Sequence, residues 1–554
     1  MLEAIIDNKK NYLGLVGLLL VGFIGNLDIS VVNIALPSIE KYFNSDLNTV
    51  MWVTLIFALV STSTLIPICK LGDMFGRKKV LLICLIIFSI ASIICAVSSS
   101  LNILILGRGL QALGASALMT ISIPLALEIF PKEKRNLIAG IWGAICALAI
   151  AVGPSLGGYI IQCSSWKYIF FINIPICLIS FILIFSFIEE SFNQNGNKSI
   201  DFIGTIILAV ALSTLTYSLI EGNNYGFTSK RILALFILSA ICFIGFTLLE
   251  KAISNPIIDF SLFKIRSFSI PSCTIGFITI ISVIFTNFIN FFFNGISNYT
   301  ASESGNIIFF YALGLMISSI IAGKLTTKFK TSTVVFFSVI ICIISIFLVI
   351  HVTSNTTKLS FIIILFIAGL GSGAPSGQLV AYALSDVPNE KSGLASGLNN
   401  IIAKLFLLVL TAIMTCSLTY RENIAFNNTK KYLISNVSSS QVLDKKTKDI
   451  IESNLTPLNK NNFNLIQKNI TLKLKKDAQT TIKNSSDIKT REALLQKASH
   501  INNYLTKTIK TTKVELKKNY SNAYTATFKL SFIFLGISIL FCPFVNPNRK
   551  RTEA

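Results

Sequence analysis

Two side chains of opposite charge, Asp28 and Arg108, stand inside otherwise apolar runs of this sequence. An ionisable group in such a run is costly unless it meets a partner or a cavity. Paired with a guanidinium, a carboxylate is held ionised until a proton or a solute competes. Each of the two lies about six residues from the end of its run, roughly 9 Å deep at 1.5 Å per residue, so they can meet. The alternatives are a static ion pair or snorkelling side chains. Lys404, near the middle of a later run, is a lone cation that either snorkels or contacts a solute.

Other residues of interest are short and clustered. Asp73, Gly76, Arg77 and Lys78 belong to Cys69-Lys70-Leu71-Gly72-Asp73-Met74-Phe75-Gly76-Arg77-Lys78-Lys79, a tight turn between two runs. Asp73 can meet helix-end dipoles or basic side chains there. A loop that merely obeys topology explains the basic residues but not the Gly-Asp-x-x-Gly-Arg-Lys-Lys order. Gly153, Pro154, Gly157 and Gly158 lie in one run, where small residues allow close helix packing and proline allows a bend.

The elements that carry these residues are apolar runs of about 20 residues, the length a helix needs to cross a bilayer. Fourteen runs are found, among them 11 to 33, 49 to 68, 102 to 126, 138 to 161, 394 to 416 and 527 to 545. The composition agrees: 53% of residues are hydrophobic, 13% are charged, and 42 are Phe, with a mean hydropathy of +0.69. Lipid offers backbone groups no partner, so the runs must be helices, and their lack of alternation argues against a barrel. With the N-terminus inside, the short inner segments hold twenty Lys and Arg and the outer ones five, which satisfies the positive-inside rule. No cleavable signal is expected, because the first run is long and contains Asp28.

The net charge of +22 would suggest nucleic acid in a soluble chain. Here much of it lies in a polar insertion, 417–526, which helix parity places outside. The insertion has no Gly and one Pro, Pro457, so it reads as helical. It is a solvated insertion without a site, a cap over the outer vestibule, or a surface attracted to anionic polymer or lipid. No nucleotide-binding loop, HExxH or CxxC motif occurs, so neither an enzyme nor an ATP-driven pump is expected. Phe288, Phe291, Phe292 and Phe293 read as lipid-facing or core aromatics rather than a cage for a cation.

The 69–79 turn resembles the inner-loop signature of the major facilitator superfamily, with Cys69 and Met74 departing from it. Leu27-Asp28-Ile29-Ser30-Val31-Val32-Asn33-Ile34-Ala35-Leu36-Pro37 is similar to the first-helix segment of its fourteen-helix drug/proton antiporter family, with Ser30 in the Thr place. Arg108-Gly109-Leu110-Gln111-Ala112-Leu113-Gly114-Ala115 is similar to the fourth-helix motif. Gly153-Pro154-Ser155-Leu156-Gly157-Gly158 matches the antiporter motif intact, and Trp166, Phe170, Asn173 and Pro175 continue the pattern. In the second half, Gly323 to Lys330 repeats the inner loop, but Thr327 stands where Asp73 does.

The resemblance implies an all-α polytopic membrane protein of the major facilitator fold with fourteen transmembrane helices and a large extracellular helical insertion. Its expected parts are a first half (1–190), two linking helices (191–267), a second half (268–416 and 527–545), the insertion (417–526) and a cytoplasmic tail (546–554). It implies proton-coupled efflux of lipophilic, cationic or amphipathic drugs or toxic compounds by alternating access. Asp28 and Arg108 would couple, Asp73, Gly76, Arg77 and Lys78 would latch the inner loop, and the Gly153 to Gly158 segment would pivot. The expected partners are a small-molecule substrate, protons and membrane lipid, without nucleic acid or cofactor, in a monomer at the plasma membrane with both termini cytoplasmic. The alternatives are an exporter of an endogenous lipid or metabolite, or a receptor that uses the insertion.

Overall fold

Backbone groups without water must bond to one another, and among the described residues every regular element is helical. The computed structural model describes all residues except 1, 131, 192–200, 254–257, 259, 327, 384–386, 388–391, 441–442, 444, 446–447, 449–487 and 546–554. Thr327, the expected tail and much of the expected insertion therefore lie outside the described residues.

The first half comprises α1 (Leu2–Phe43), α2 (Leu47–Phe75), α3 (Arg77–Ala96), α4 (Leu101–Thr120), α5 (Ser122–Glu128), α6 (Lys132–Cys163), α7 (Tyr168–Phe171) and α8 (Asn173–Phe187). Two helices come next, α9 (Phe202–Tyr225) and α10 (Lys230–Ala252). The second half holds α11 (Arg266–Ser282), a π-helical turn (Val283–Phe288), α12 (Ile289–Gly295), α13 (Ala301–Leu325), α14 (Thr331–Val349), α15 (Lys358–Ala383) and α16 (Ser392–Ser438). It ends with α17 (Ile488–Phe528) and α18 (Ser531–Phe541). Among the described residues, 13 helices are long and apolar enough to cross a membrane. The expected run 138–161 falls within α6, whose apolar described part is Leu148–Cys163.

Short polar connections set the antiparallel neighbours. Asp46 caps α2 by accepting from the Thr49 amide at 2.7 Å, and Ser100 caps α4 through the Ile103 amide. Between α2 and α3 the chain reverses at one residue, Gly76, with φ of 106°, a conformation that a side chain disfavours.

The bundle has two faces, distinguished by the ends of α1 and α2 that reach them. Towards the Phe43 face the halves touch: α6 packs on α13, α12 approaches α1, and α16 meets α2. The extra helix α9 contacts both α2 and α16. Asn48 donates to the Ile220 carbonyl at 3.4 Å and accepts from the Thr419 hydroxyl at 2.6 Å, while Asn223 donates to the Cys416 carbonyl at 2.6 Å.

Two long helices continue beyond the apolar runs. α16 passes unbroken through residue 417 to Ser438, and α17 packs back along it. Tyr504 donates to the Asn436 carbonyl at 2.7 Å, and Asn519 donates to the Thr429 hydroxyl at 2.9 Å.

Candidate functional site

α1 brings Asp28 into the interior of the first half, where α4 delivers Arg108. The guanidinium Nη1 donates to the Asp28 carboxylate at 2.5 Å, and the side chains are 1% and 0% exposed. A buried ion pair holds only if its remaining hydrogen-bonding capacity is met. Gln111 and Asn173 each donate to Asp28 Oδ1 at 2.9 Å. Arg108 also donates to Gln111 Oε1 at 2.5 Å and to the Val53 carbonyl at 3.3 Å, and its guanidinium lies 4.2 Å from the Phe57 ring centre. Ser92 ties the set to α3 by accepting from Gln111 at 2.9 Å. Gln111 and Asn173 sit within the segments that carry the resemblance, yet residue type alone gave no reason to pair them with Asp28.

The equal distance from the helix ends expected for the pair does not hold, although the two side chains meet. Asp28 lies 15 residues before Phe43, roughly 22 Å along the helix, whereas Arg108 is 7 residues into α4. The cause is that α1 continues through Pro37, which the end of the apolar run at residue 33 did not indicate. Pro37 has no amide to offer the carbonyl of Asn33 four residues earlier. Asn290, just beyond the π-helical turn, donates to that carbonyl at 2.8 Å and to the Ile34 carbonyl at 3.0 Å. A side chain of the second half thus completes a helix of the first. The signal was the proline itself, since a carbonyl it frees must find some donor.

Asp28 does not face the space between the halves. A cavity of about 370 Å³ lies there, lined on α1 by Asn26, Ile29, Ser30, Asn33 and Ile34, the opposite side of that helix from Asp28. α2 and α6 complete one wall; α11, the π-helical turn, α13 and α16 form the other. A π-helical turn adds a residue to the helical repeat and so rotates the helix beyond it. Thr286 and Asn287 within it line the cavity, and Asn290 reaches α1. Lys404 lines the cavity from α16. Phe288, Phe291, Phe292 and Phe293 are buried and do not line it; Phe293 packs on Phe361 with ring centres 4.8 Å apart.

The glycines of α6 serve two seams. A Cβ on Gly153 would stand 2.5 Å from the Ser30 hydroxyl, and one on Gly157 would stand 2.8 Å from a Val31 methyl, so both face α1. Gly158 faces the other way, against the Ala301 carbonyl of α13, and Gly305 of α13 lies against the Pro154 carbonyl. The first seam is internal to one half, and the second joins the halves.

At the Phe75 face, Asp73 accepts from Arg77 at 2.8 Å, and Arg77 also binds Glu128 at the end of α5. Glu128 in turn accepts from the Ser191 hydroxyl. Glu190 accepts from the amides of Lys78 and Lys79 at 2.9 and 3.1 Å, an anion seated on the first turn of α3. The Lys78 ammonium donates to the Phe185 carbonyl at 2.9 Å. The Cys69 thiol is pushed up to about 11, first by burial and then by the Asp73 carboxylate, so it stays uncharged beside the turn. Glu128 and Glu190 were not expected in this network, because 51 and 112 residues separate them from their partners.

Asp73→Asn removes the charge from one such hydrogen bond, worth about 1.5 kcal/mol, without touching the core. Turnover in proteoliposomes of matched protein content should fall about tenfold, with expression unchanged. Wild-type turnover would reduce the turn to a topological signal.

The model of the Major Facilitator Superfamily matches residues 18–410. The chain belongs to the major facilitator superfamily. Among its relatives in that superfamily is Multidrug resistance protein 3 of Bacillus subtilis (strain 168), 31% identical over 420 residues, which are 75% of this chain and 81% of that one. The Riboflavin transporter RibZ of Clostridioides difficile (strain 630) is 30% identical over 436 residues, covering 78% and 94%. The fold also matches the inward-facing, unoccupied crystal structure of a bacterial homolog to the human lysosomal transporter Spinster. That match has a TM-score of 0.57 at 14% identity and covers 94% of this chain and 98% of the other. A major facilitator chain with these apolar helices is an integral membrane transporter of small molecules.

Proposed function

We propose that this protein is a proton-coupled efflux transporter of lipophilic, amphipathic compounds that works by alternating access. The observation that carries the reading is the division of α1, with a buried carboxylate on one side and a cavity between the halves on the other. A proton on Asp28 weakens its hold on Arg108, Gln111 and Asn173, and any consequent shift of α1 alters the cavity wall. Such a difference between states is what lets proton flow drive solute flow. The contacts at the Phe43 face act as a gate, and the Asp73, Gly76, Arg77 and Lys78 turn acts as the latch at the opposite face. The asymmetry of Lys and Arg in the short segments supports a Phe43 face and insertion on the outside, with both termini in the cytoplasm. The similarity to Multidrug resistance protein 3 supports the efflux direction.

The test is proton release from the purified protein in proteoliposomes when a lipophilic dye is added. Release accompanied by dye movement driven by a pH gradient is the expected result. Dye binding without proton release or flux would overturn the reading. A second reading, export of an endogenous metabolite, draws on the polar residues of the cavity and on the relative named as a riboflavin transporter. Under that reading, screening finds a metabolite substrate and no dye efflux.

A further inference from the structure

The sign of the charge that the cavity accepts can be read from its walls, on the proposed function's premise that the cavity holds the substrate. Lys404 is the charged residue among those that line it, and among the described residues no carboxylate does. Lys404 has no ion-pair partner among the described residues. Two more wall groups are also unanswered: Asn33 Oδ1 and Thr54 Oγ1 are buried without hydrogen-bond partners. Buried polar atoms normally find partners, and an ammonium among uncharged walls is best met by a counter-charge. Asp28, the carboxylate on the adjoining α1 segment, is turned away and held by Arg108, Gln111 and Asn173. The rest of the wall mixes aliphatic side chains, including Leu55, Ile308 and Leu407, with uncharged hydroxyl and amide ones.

We propose that the central cavity binds amphipathic organic anions. The anionic group of the solute sits on the Lys404 ammonium, a donor on the solute meets Asn33 Oδ1, and an apolar ring lies against Leu55, Ile308 and Leu407. The volume of about 370 Å³ falls within the range of small-molecule sites. A cationic solute would instead meet Lys404 with no carboxylate on the described cavity wall. This narrows the cationic or amphipathic range that the family resemblance implies to amphipathic anions.

Three probes that share one ring and differ in charge test the assignment: 2-naphthoate, 2-naphthamide and trimethyl(2-naphthyl)ammonium. Binding is measured by calorimetry on the full-length protein in nanodiscs. The carboxylate should bind at least about tenfold more tightly than the ammonium compound, the ratio expected when one charge-assisted contact decides. Lys404→Arg should keep that order, Lys404→Gln should erase it and Lys404→Glu should reverse it. Thermal unfolding of each variant identifies a loss of fold, in which case the Arg and Glu variants decide by sign. Tighter binding of the ammonium compound to the wild type, or an anion preference that survives Lys404→Gln, would overturn the proposal. If the Lys404-dependent order holds but no probe moves under a pH gradient, the transport reading fails and this site stands. If the probes move but binding ignores Lys404, transport stands and this site fails.

Discussion

Asp28→Asn should abolish proton-driven efflux while leaving substrate affinity within about threefold of wild type, a difference under 1 kcal/mol. The asymmetry stems from the geometry. Asp28 lies outside the cavity wall, so its loss removes no substrate contact. Asparagine keeps the size and some of the hydrogen bonding of the carboxylate but cannot exchange a proton. It also leaves Arg108 buried beside a neutral partner, and breaking such a pair costs about 3 kcal/mol. A loss of transport alone would therefore be ambiguous between coupling and folding. Asp28→Asn combined with Arg108→Gln resolves it, because removing both charges should recover much of the thermal stability but none of the coupling. The two residues act as one unit, so the double variant should be no worse in flux than Asp28→Asn. Binding and flux across a pH series, at matched protein content, are the readouts. Undiminished pH-driven flux in Asp28→Asn would remove Asp28 from the mechanism.

Gly305→Val should stop the transport cycle at a different point. Its new side chain would overlap the Pro154 carbonyl, and a backbone atom cannot move aside as a flexible side chain can. The α6 and α13 helices must separate, which costs about 3 kcal/mol in the closed state and moves the conformational balance about a hundredfold towards one open at the Phe43 face. Efflux should fall by a similar factor. Gly158→Val, which meets the Ala301 carbonyl, should behave in the same way. Gly157→Ala is the contrast: it presses on Val31 within the first half and should lower thermal stability without changing which face is open. A cysteine at Asn287, which lines the cavity, reports the outcome through its reaction with an impermeant maleimide added at the Phe43 face. Full efflux and unchanged labelling in Gly305→Val would mean that this seam does not close during transport.

How much of this could be read from the sequence depends on whether a feature is local. Asp28 and Arg108 stand out because charge in an apolar run needs a partner, and the helices do bring them together. The Asp73 turn and the α6 glycines were visible for the same reason, since each is a short pattern that one loop or one helix face completes. Sequence did not reveal the partners supplied from a distance. Gln111 and Asn173 look like ordinary polar residues until α4 and α8 converge on α1, and Glu128 and Glu190 look like ordinary surface acids until the turn folds against them. The division of the α6 glycines between two seams was also hidden, because both share one spacing and only the packing of α1 and α13 separates them. The distance from Asp28 to the end of α1 was misjudged, because hydrophobicity ended where the helix did not. The part of the cavity wall formed by Thr286 and Asn287 comes from the π-helical turn, which no residue pattern marks.

The amide of Asn290 that closes the break at Pro37 gives the gate an unusual dependence on water. While the halves touch at the Phe43 face, Asn290 satisfies the Asn33 carbonyl that Pro37 leaves without an amide; once they part, only solvent can, whereas the Ile34 carbonyl keeps the Ser38 amide of its own helix. Leaving a buried carbonyl unanswered costs about 1–3 kcal/mol, so parting and wetting belong to a single event. A seal made by aliphatic packing alone must first overcome its own tendency to exclude water. Here the seam already contains an acceptor that attracts the first molecule to enter, so in the proposed cycle the gate is hydrated as it opens.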